Sequence, residues 1–231
     1  MFFLQIITNG RSLAAARPCM FRALWKAISV ICDFLVIGGG IWNAQSDCDG
    51  FSAAKVVNAA GAWADRIGAM AGAKSTRLTP KRRTAIIIRS PDRTNCAALP
   101  SVDLAGSDAD LKPEGEMLMA SPGDATPSAP QDAWPDDLDI AILADWIEQV
   151  TTIQITRIEH SWAGLRSFVA DETLVVGFDP VVPGFFWLAG RGGYGITLAP
   201  TSAILVADLG TGEPRARLKG IVQVLSPQRF Q

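Results

Sequence analysis

A short apolar strand running directly into three glycines constrains this chain more than any other stretch. Phe34-Leu35-Val36-Ile37 leads into Gly38-Gly39-Gly40, as a first parallel strand leads into a phosphate-binding turn. The complete pattern is G-x-G-x-x-G, followed by a helix and a second strand that ends in an acidic residue. Gly38 and Gly40 supply its first two glycines and are candidate cofactor-binding positions. Asn43 stands where the third glycine belongs, preceded by Trp42. Residues 43–50 are polar and turn-forming, with no apolar stripe that a helix could bury. The fingerprint opens and does not close.

Composition narrows the class. With 231 residues, 48% apolar and 19% charged, the chain can bury a substantial core in one or two domains. That balance excludes a disordered chain and a membrane-spanning one. A net charge of -2, with no basic stripe carrying interleaved aromatics, gives no footprint for nucleic acid. Cys19, Cys32, Cys48 and Cys96 are widely spaced, with no C-x-x-C pair and no neighbouring histidines. They read as thiols in a reducing compartment rather than as disulfides or a metal site, so no metal is expected.

Residues 1–32 stand apart. Arg11, Arg17, Arg22 and Lys26 occur there, and no acidic residue precedes Asp33. A basic, acid-free leader suits organelle targeting; the alternative is an extension that adds nothing, with the protein cytoplasmic. Lys26 and Asp33 interrupt the only long apolar run, so no transmembrane segment is expected.

Further along, Lys55-Val56-Val57-Asn58 reads as a strand, stopped by Ala59-Ala60-Gly61 and followed by a helix near 62–71. Small residues at such a strand-to-helix turn let the backbone approach a ligand. Arg83 to Arg89 is β-branched and strand-like, and residues 111–119 read as a hairpin turning at Pro113 to Gly115. A loop rich in Pro, Asp, Ala and Ser over 121–135 precedes a helix near 138–150. Strands follow near 153–166, 173–177 and 185–189, then a glycine turn at 190–195 opening a helix at 196–209. The expected fold is α/β, or α+β taken overall: a reduced Rossmann-like layer and an antiparallel substrate-type domain. The layer is assigned to 33–73 with 162–231, and the antiparallel domain to 74–161.

Three blocks carry a family resemblance. They are Val56-Val57-Asn58-Ala59-Ala60-Gly61-Ala62-Trp63-Ala64-Asp65, Trp162-Ala163-Gly164-Leu165-Arg166-Ser167-Phe168-Val169-Ala170-Asp171, and Phe185-Phe186-Trp187-Leu188-Ala189-Gly190-Arg191-Gly192-Gly193-Tyr194-Gly195-Ile196. In this order the chain resembles the FAD-dependent D-amino-acid oxidase superfamily, and within it the catabolic D-arginine/D-amino-acid dehydrogenases. Pro80-Lys81-Arg82-Arg83-Thr84 and Lys112-Pro113-Glu114 are similar to that subgroup as well.

The resemblance implies FAD as cofactor and a D-amino acid as the small-molecule substrate. The substrate is oxidised at its Cα–N bond to an imino acid, which water hydrolyses; the electron acceptor is left open. It makes Arg166 the cationic fork for the substrate α-carboxylate, and Arg83 a second arginine facing the substrate. A planar guanidinium suits that task because it gives two parallel, charge-assisted hydrogen bonds. Gly61, Gly164, Gly192, Gly193, Tyr194, Gly195 and Ile196 would line the flavin, with Gly193 also near the substrate. The bland alternatives are a surface ion pair for Arg166, a solvated basic turn at 81–83, and a glycine-rich helix start chosen for packing. Trp63 reads as core, and His160, Asp171 and Asp179 read as structural.

Departures from the family pattern matter equally. Ile41-Trp42-Asn43 resembles a stretch that lies far downstream in family members, which implies a large internal deletion between Gly40 and Ile41. A tyrosine expected two residues before Lys112-Pro113 is replaced by Asp110. Two readings follow: a shortened enzyme, binding flavin weakly or with a partner chain supplying the missing half, or a non-catalytic remnant of one.

Overall fold

The computed structural model describes residues 3–8, 11–15, 31–38, 52–89, 96–212 and 218–230. Gly40, the 39–51 connection, Cys19 and Cys48 lie outside them. The chain divides into two compact units, Met1–Thr79 with Ser167–Gln231, and Pro80–Arg166. The mixed α/β architecture is present, with helices and two separate sheets.

The first unit is built on six strands: β1 (Phe3–Thr8), β2 (Arg11–Ala15), β3 (Ile31–Gly38), β4 (Ser52–Ala59), β10 (Val175–Phe178) and β11 (Phe185–Ala189). Their order is β10-β11-β4-β3-β1-β2. β3, β4 and β11 are parallel neighbours, with Gly38 opposite Ala59 and Trp187 opposite Asn58. Antiparallel strands close both sides: β10 beside β11, and the β1–β2 hairpin beside β3. Residues 3–8 and 11–15, read from the sequence as leader or extension, are thus strands of this sheet.

Helices cover both faces of the β10-β11-β4 half, and the side chains alternate accordingly. Val175, Phe185 and Trp187 cluster with Ala64 of α1 (Ala64–Met70). Val176, Phe186 and Val57 cluster with Leu205 of α3 (Ala199–Thr211) and Leu225 of α4 (Lys219–Leu225). Burial on both faces explains why 185–189 is an unbroken apolar run. Each such side chain stabilises the fold by about 1.5–3 kcal/mol relative to exposure.

In the second unit β5 (Thr79–Arg89), β6 (Val102–Asp103), β7 (Asp110–Glu114), β8 (Met117–Ser121) and β9 (Ile158–Phe168) lie in the order β6-β7-β8-β5-β9. β5–β8, β8–β7 and β7–β6 pair antiparallel. One face packs on α2 (Asp137–Val150): Ile86, Ile88, Leu111, Leu118 and Ala120 meet Leu143 and Ile147. Asp136 caps that helix by accepting from the Leu138 N–H. Arg82 reaches Asp124, Asp136 and Asp139, and so ties the start of α2 to β5.

Three expectations are corrected. The hairpin turns at Gly115-Glu116, not at Pro113, which stays in β7 opposite Leu118. There β6 has already ended, so the missing N–H lies on an open edge, where proline is tolerated. The closing helix starts at Ala199, not Ile196, because Pro200 fits only the first helical turn. β9 starts at Ile158, not near 153; Ile153 and Ile155 pack onto the α2 cluster from the preceding loop instead.

Candidate functional site

Three glycine-bearing chain segments converge at the carboxyl ends of the parallel strands in the first unit. Gly38 ends β3, and Ala59-Ala60-Gly61 follows β4 in register with it. Gly190 to Gly195 follows β11, which pairs with β4 two residues earlier. In parallel α/β sheets this edge is where ligands bind, because the strand-to-helix turns present backbone N–H groups there.

Local sequence explains each turn. Asn58 is fully buried; its amide donates to the Ala64 carbonyl at 2.8 Å, and its Oδ1 accepts from the Ala60 N–H. That bracket folds the chain sharply after β4, and Gly61 adopts φ +56° with open space around a would-be Cβ. Gly192 also has positive φ, and its N–H donates to the Ser167 carbonyl at 2.8 Å. A Cβ there would meet the Phe168 ring at 2.7 Å, so only glycine lets this turn lie against β9. Beyond it Tyr194 is 64% and Ile196 93% exposed, large apolar side chains left without protein cover. Gly193 is exposed and Gly195 half-buried in the same turn, while Gly164 is exposed on β9 in the other unit. The turn continues through Leu198, so the helix N-terminus lies at Leu198–Ala199 rather than on the glycines.

One residue of this turn escaped the sequence reading. Arg191 is half-buried, and desolvation pulls its guanidinium below the usual arginine value. Its position inside Gly190-Arg191-Gly192-Gly193 was the available signal.

The second unit gathers the two candidate arginines. Leu111 and Ile86 point into the α2 core, so strand alternation places Asp110 and Arg83 on the opposite face of the sheet. Arg83 Nη2 lies 3.5 Å from Asp110 Oδ2, and both residues are half-buried. Arg83 Nε is buried with no hydrogen-bond partner among the described residues. Arg166 is pulled below the usual arginine value, first by desolvation and then by the like charge of Arg83. Asp110 is pushed up by desolvation, against the pull of Arg83 and Arg166. Arg83, Arg166 and Asp110 thus act on one another electrostatically, and Asp124 also acts on Arg166.

The structural assignments of the other residues are specific. His160 is exposed and stacks on Trp162, with ring centroids 5.5 Å apart. Asp171 holds Arg229 at 2.8 Å, and Asp179 accepts from the Val181 and Val182 N–H groups and from the Trp187 indole. Cys96 is a buried thiol. Among the described residues no cluster could hold a metal ion, and no helix is long and apolar enough to cross a membrane.

Residues 29–209 match the family of FAD dependent oxidoreductases known as DAO. The chain belongs to that family. It is 28% identical to the glycine oxidase of Geobacillus kaustophilus over 178 residues, covering 73% of this chain and 46% of the relative. Against FAD-dependent oxidoreductase domain-containing protein 1 of Xenopus laevis it is 24% identical over 174 residues, covering 67% of this chain and 34% of the relative. The crystal structure of the Geobacillus glycine oxidase superposes with a TM-score of 0.63 at 25% identity, over 78% of this chain and 46% of that one. L-proline dehydrogenase from P. horikoshii shares the fold, with a TM-score of 0.63 at 24% identity over 78% of this chain and 48% of that one. The chain thus spans less than half the length of each of these relatives. FAD is the cofactor of the family, and the glycine turns at the carboxyl ends of β3, β4 and β11 fit a nucleotide cofactor on the geometry described.

Proposed function

We propose that this DAO-family chain oxidises the Cα–N bond of a D-amino acid, with FAD as cofactor. The observation that carries the proposal is that Arg83 and Arg166 act on one another electrostatically, with Arg83 Nε buried and without a hydrogen-bond partner among the described residues. Arg166 takes the substrate α-carboxylate through its planar fork, and Arg83 adds a second cationic contact. Anchoring the carboxylate restricts the rotation of the Cα–H and Cα–N bonds, so binding also orients the reacting centre. The Gly61 turn and the Gly192–Gly195 turn would hold the flavin through backbone N–H groups. FAD, when bound, supplies a two-electron acceptor, and the released imino acid is hydrolysed by water to a 2-oxo acid and ammonia. The preference for the D series rests on the likeness of the 162–171 block to D-amino-acid dehydrogenases.

A second reading has its own support. In the G-x-G-x-x-G unit the first strand lies beside a second parallel strand that carries the ribose-binding acid. Here antiparallel β1 lies on one side of β3 and parallel β4 on the other. That arrangement supports an internally deleted, non-catalytic remnant. Purification separates the two readings. A yellow protein with flavin absorbance, bleached anaerobically by D-alanine or D-arginine and not by their L-enantiomers, supports the enzyme. A colourless preparation that takes up no added FAD refutes it.

A further inference from the structure

We propose that Asp110 fixes the charge of the arginine site, so that it accepts amino acids with one carboxylate and rejects dicarboxylic ones. The inference rests on the reading of Arg83 and Arg166 as a carboxylate site and assigns that site its substrate class.

The geometry begins with the strand order. Asp110 on β7 and Arg83 on β5 are separated by β8. Their side chains meet because the residues between are small: Ser121, paired with Asp110, and Ala85, which precedes the Ile86–Ala120 pair. Ser121 and Ala85 are 4% and 8% exposed, so they form a shallow floor under the ion pair. The 3.5 Å approach of Arg83 Nη2 to Asp110 Oδ2 is long for a hydrogen bond. Arg83 Nε also lacks a partner among the described residues, so this guanidinium retains donor capacity for a ligand.

The charge count follows from the neighbours. Asp124 is engaged by the Thr84 N–H and hydroxyl and by Arg82, and Lys112 is paired with Glu114 at 3.1 Å. Asp103, opposite Asp110 in the ladder, is exposed at the rim. Arg83, Arg166 and Asp110 act directly on one another, while Asp124, held by Thr84 and Arg82, acts on Arg166. A single substrate carboxylate finds two guanidinium groups to pair with. A second carboxylate on the same substrate would meet Asp110 in a partly desolvated place, where like charges repel strongly.

Isothermal titration of the full-length chain with butyrate and with succinate tests this directly. The wild type is expected to bind butyrate at least tenfold more tightly than succinate. Asp110→Asn should tighten succinate about tenfold to a hundredfold while moving butyrate far less, as expected when a close like charge is removed. Asp110→Ser makes the same charge change with a different side chain and should agree. Asp110→Glu keeps the charge and should keep the wild-type ratio. If Arg166→Gln abolishes butyrate binding and yet neither uncharged variant moves the ratio by more than twofold, the role of Asp110 is overturned and the arginine site stands. If butyrate does not bind, or binds equally well to Arg166→Gln, the arginine site falls and the inference with it.

Discussion

Replacing Asp179 with Asn should expose how the first unit is pinned around Trp187. Asp179 is 7% exposed and Trp187 fully buried, and Asp179 Oδ2 accepts the indole N–H at 2.9 Å. The other oxygen accepts the Val181 and Val182 N–H groups, both at 2.9 Å. Asn can keep the two backbone bonds with its carbonyl oxygen, but its NH2 then faces the indole N–H, donor against donor. One charge-assisted bond, worth about 1.5–3 kcal/mol, is lost, and a buried donor is left without an acceptor at a further cost of about 1–3 kcal/mol. Relief from burying a carboxylate offsets part of this, leaving an expected loss of about 2–4 kcal/mol. Urea unfolding followed by far-ultraviolet circular dichroism measures it as a lower midpoint at unchanged slope. In a Trp187→Phe background the same change should cost about 2 kcal/mol less, because no indole N–H remains to be orphaned. A cost below about 0.5 kcal/mol in the wild-type background, or a cycle with no coupling, would refute the reasoning. The functional consequence is local: Trp187 lies under Gly68 of α1, the helix that follows the Gly61 turn, so loss of flavin retention should accompany the loss of stability.

Gly68→Ala tests the same contact from the helix side. Its Cβ would fall 2.2 Å from the Trp187 ring, and overpacking of this kind costs about 1–3 kcal/mol, seen as a lower thermal midpoint. Arg229 gives a pH test. Its bond to Asp171 is the first cause holding that carboxyl below the ordinary aspartate value, so the native state there binds fewer protons than the unfolded chain. The stabilisation is full above the ordinary aspartate range and is lost as pH falls through and below it. The Tm difference between wild type and Arg229→Gln should therefore be larger at pH 7 than at pH 3; a gap that widens in acid would contradict the assignment. Some difference should persist in acid, because Arg229 also donates to the carbonyls of Thr173, Leu174, Leu225 and Ser226.

Much of the fold was legible where local chemistry decides. Asp136 ahead of an apolar-periodic run announces α2, and the aromatic run at 185–187 announces a strand buried on both faces. Where two local signals competed, the reading went astray. Pro113-Glu114-Gly115 contains two turn formers, and only the end of β6 shows that the proline can remain in a strand while Gly115 turns. Ile196 extends the apolar pattern of α3 backwards, but Pro200 already marked the first turn. The strands at 3–8 and 11–15 were obscured because basic composition outweighed their β-forming side chains. At the candidate site the arginines were visible only through a resemblance, since charged residues on a strand look alike whether solvated or functional. The Arg83–Asp110 pair depends on three strands lying in the order β7-β8-β5, a long-range fact that no residue spacing encodes.

The placement of Pro80–Arg166 within the chain has a consequence for how the protein is made. This unit is one continuous stretch, whereas β4 and its parallel neighbour β11 are separated by the whole of it. As the ribosome extends the chain, the hairpins and α2 of the inserted unit can form from local contacts as soon as they emerge. The outer sheet must wait for β11, which emerges only after the whole inserted unit. The early half therefore spends the interval with the β11-side edge of β4 exposed, an edge able to pair with another nascent chain. Slow synthesis or a chaperone that shields that edge should raise the yield of folded protein, while substitutions inside the inserted unit should leave this step untouched.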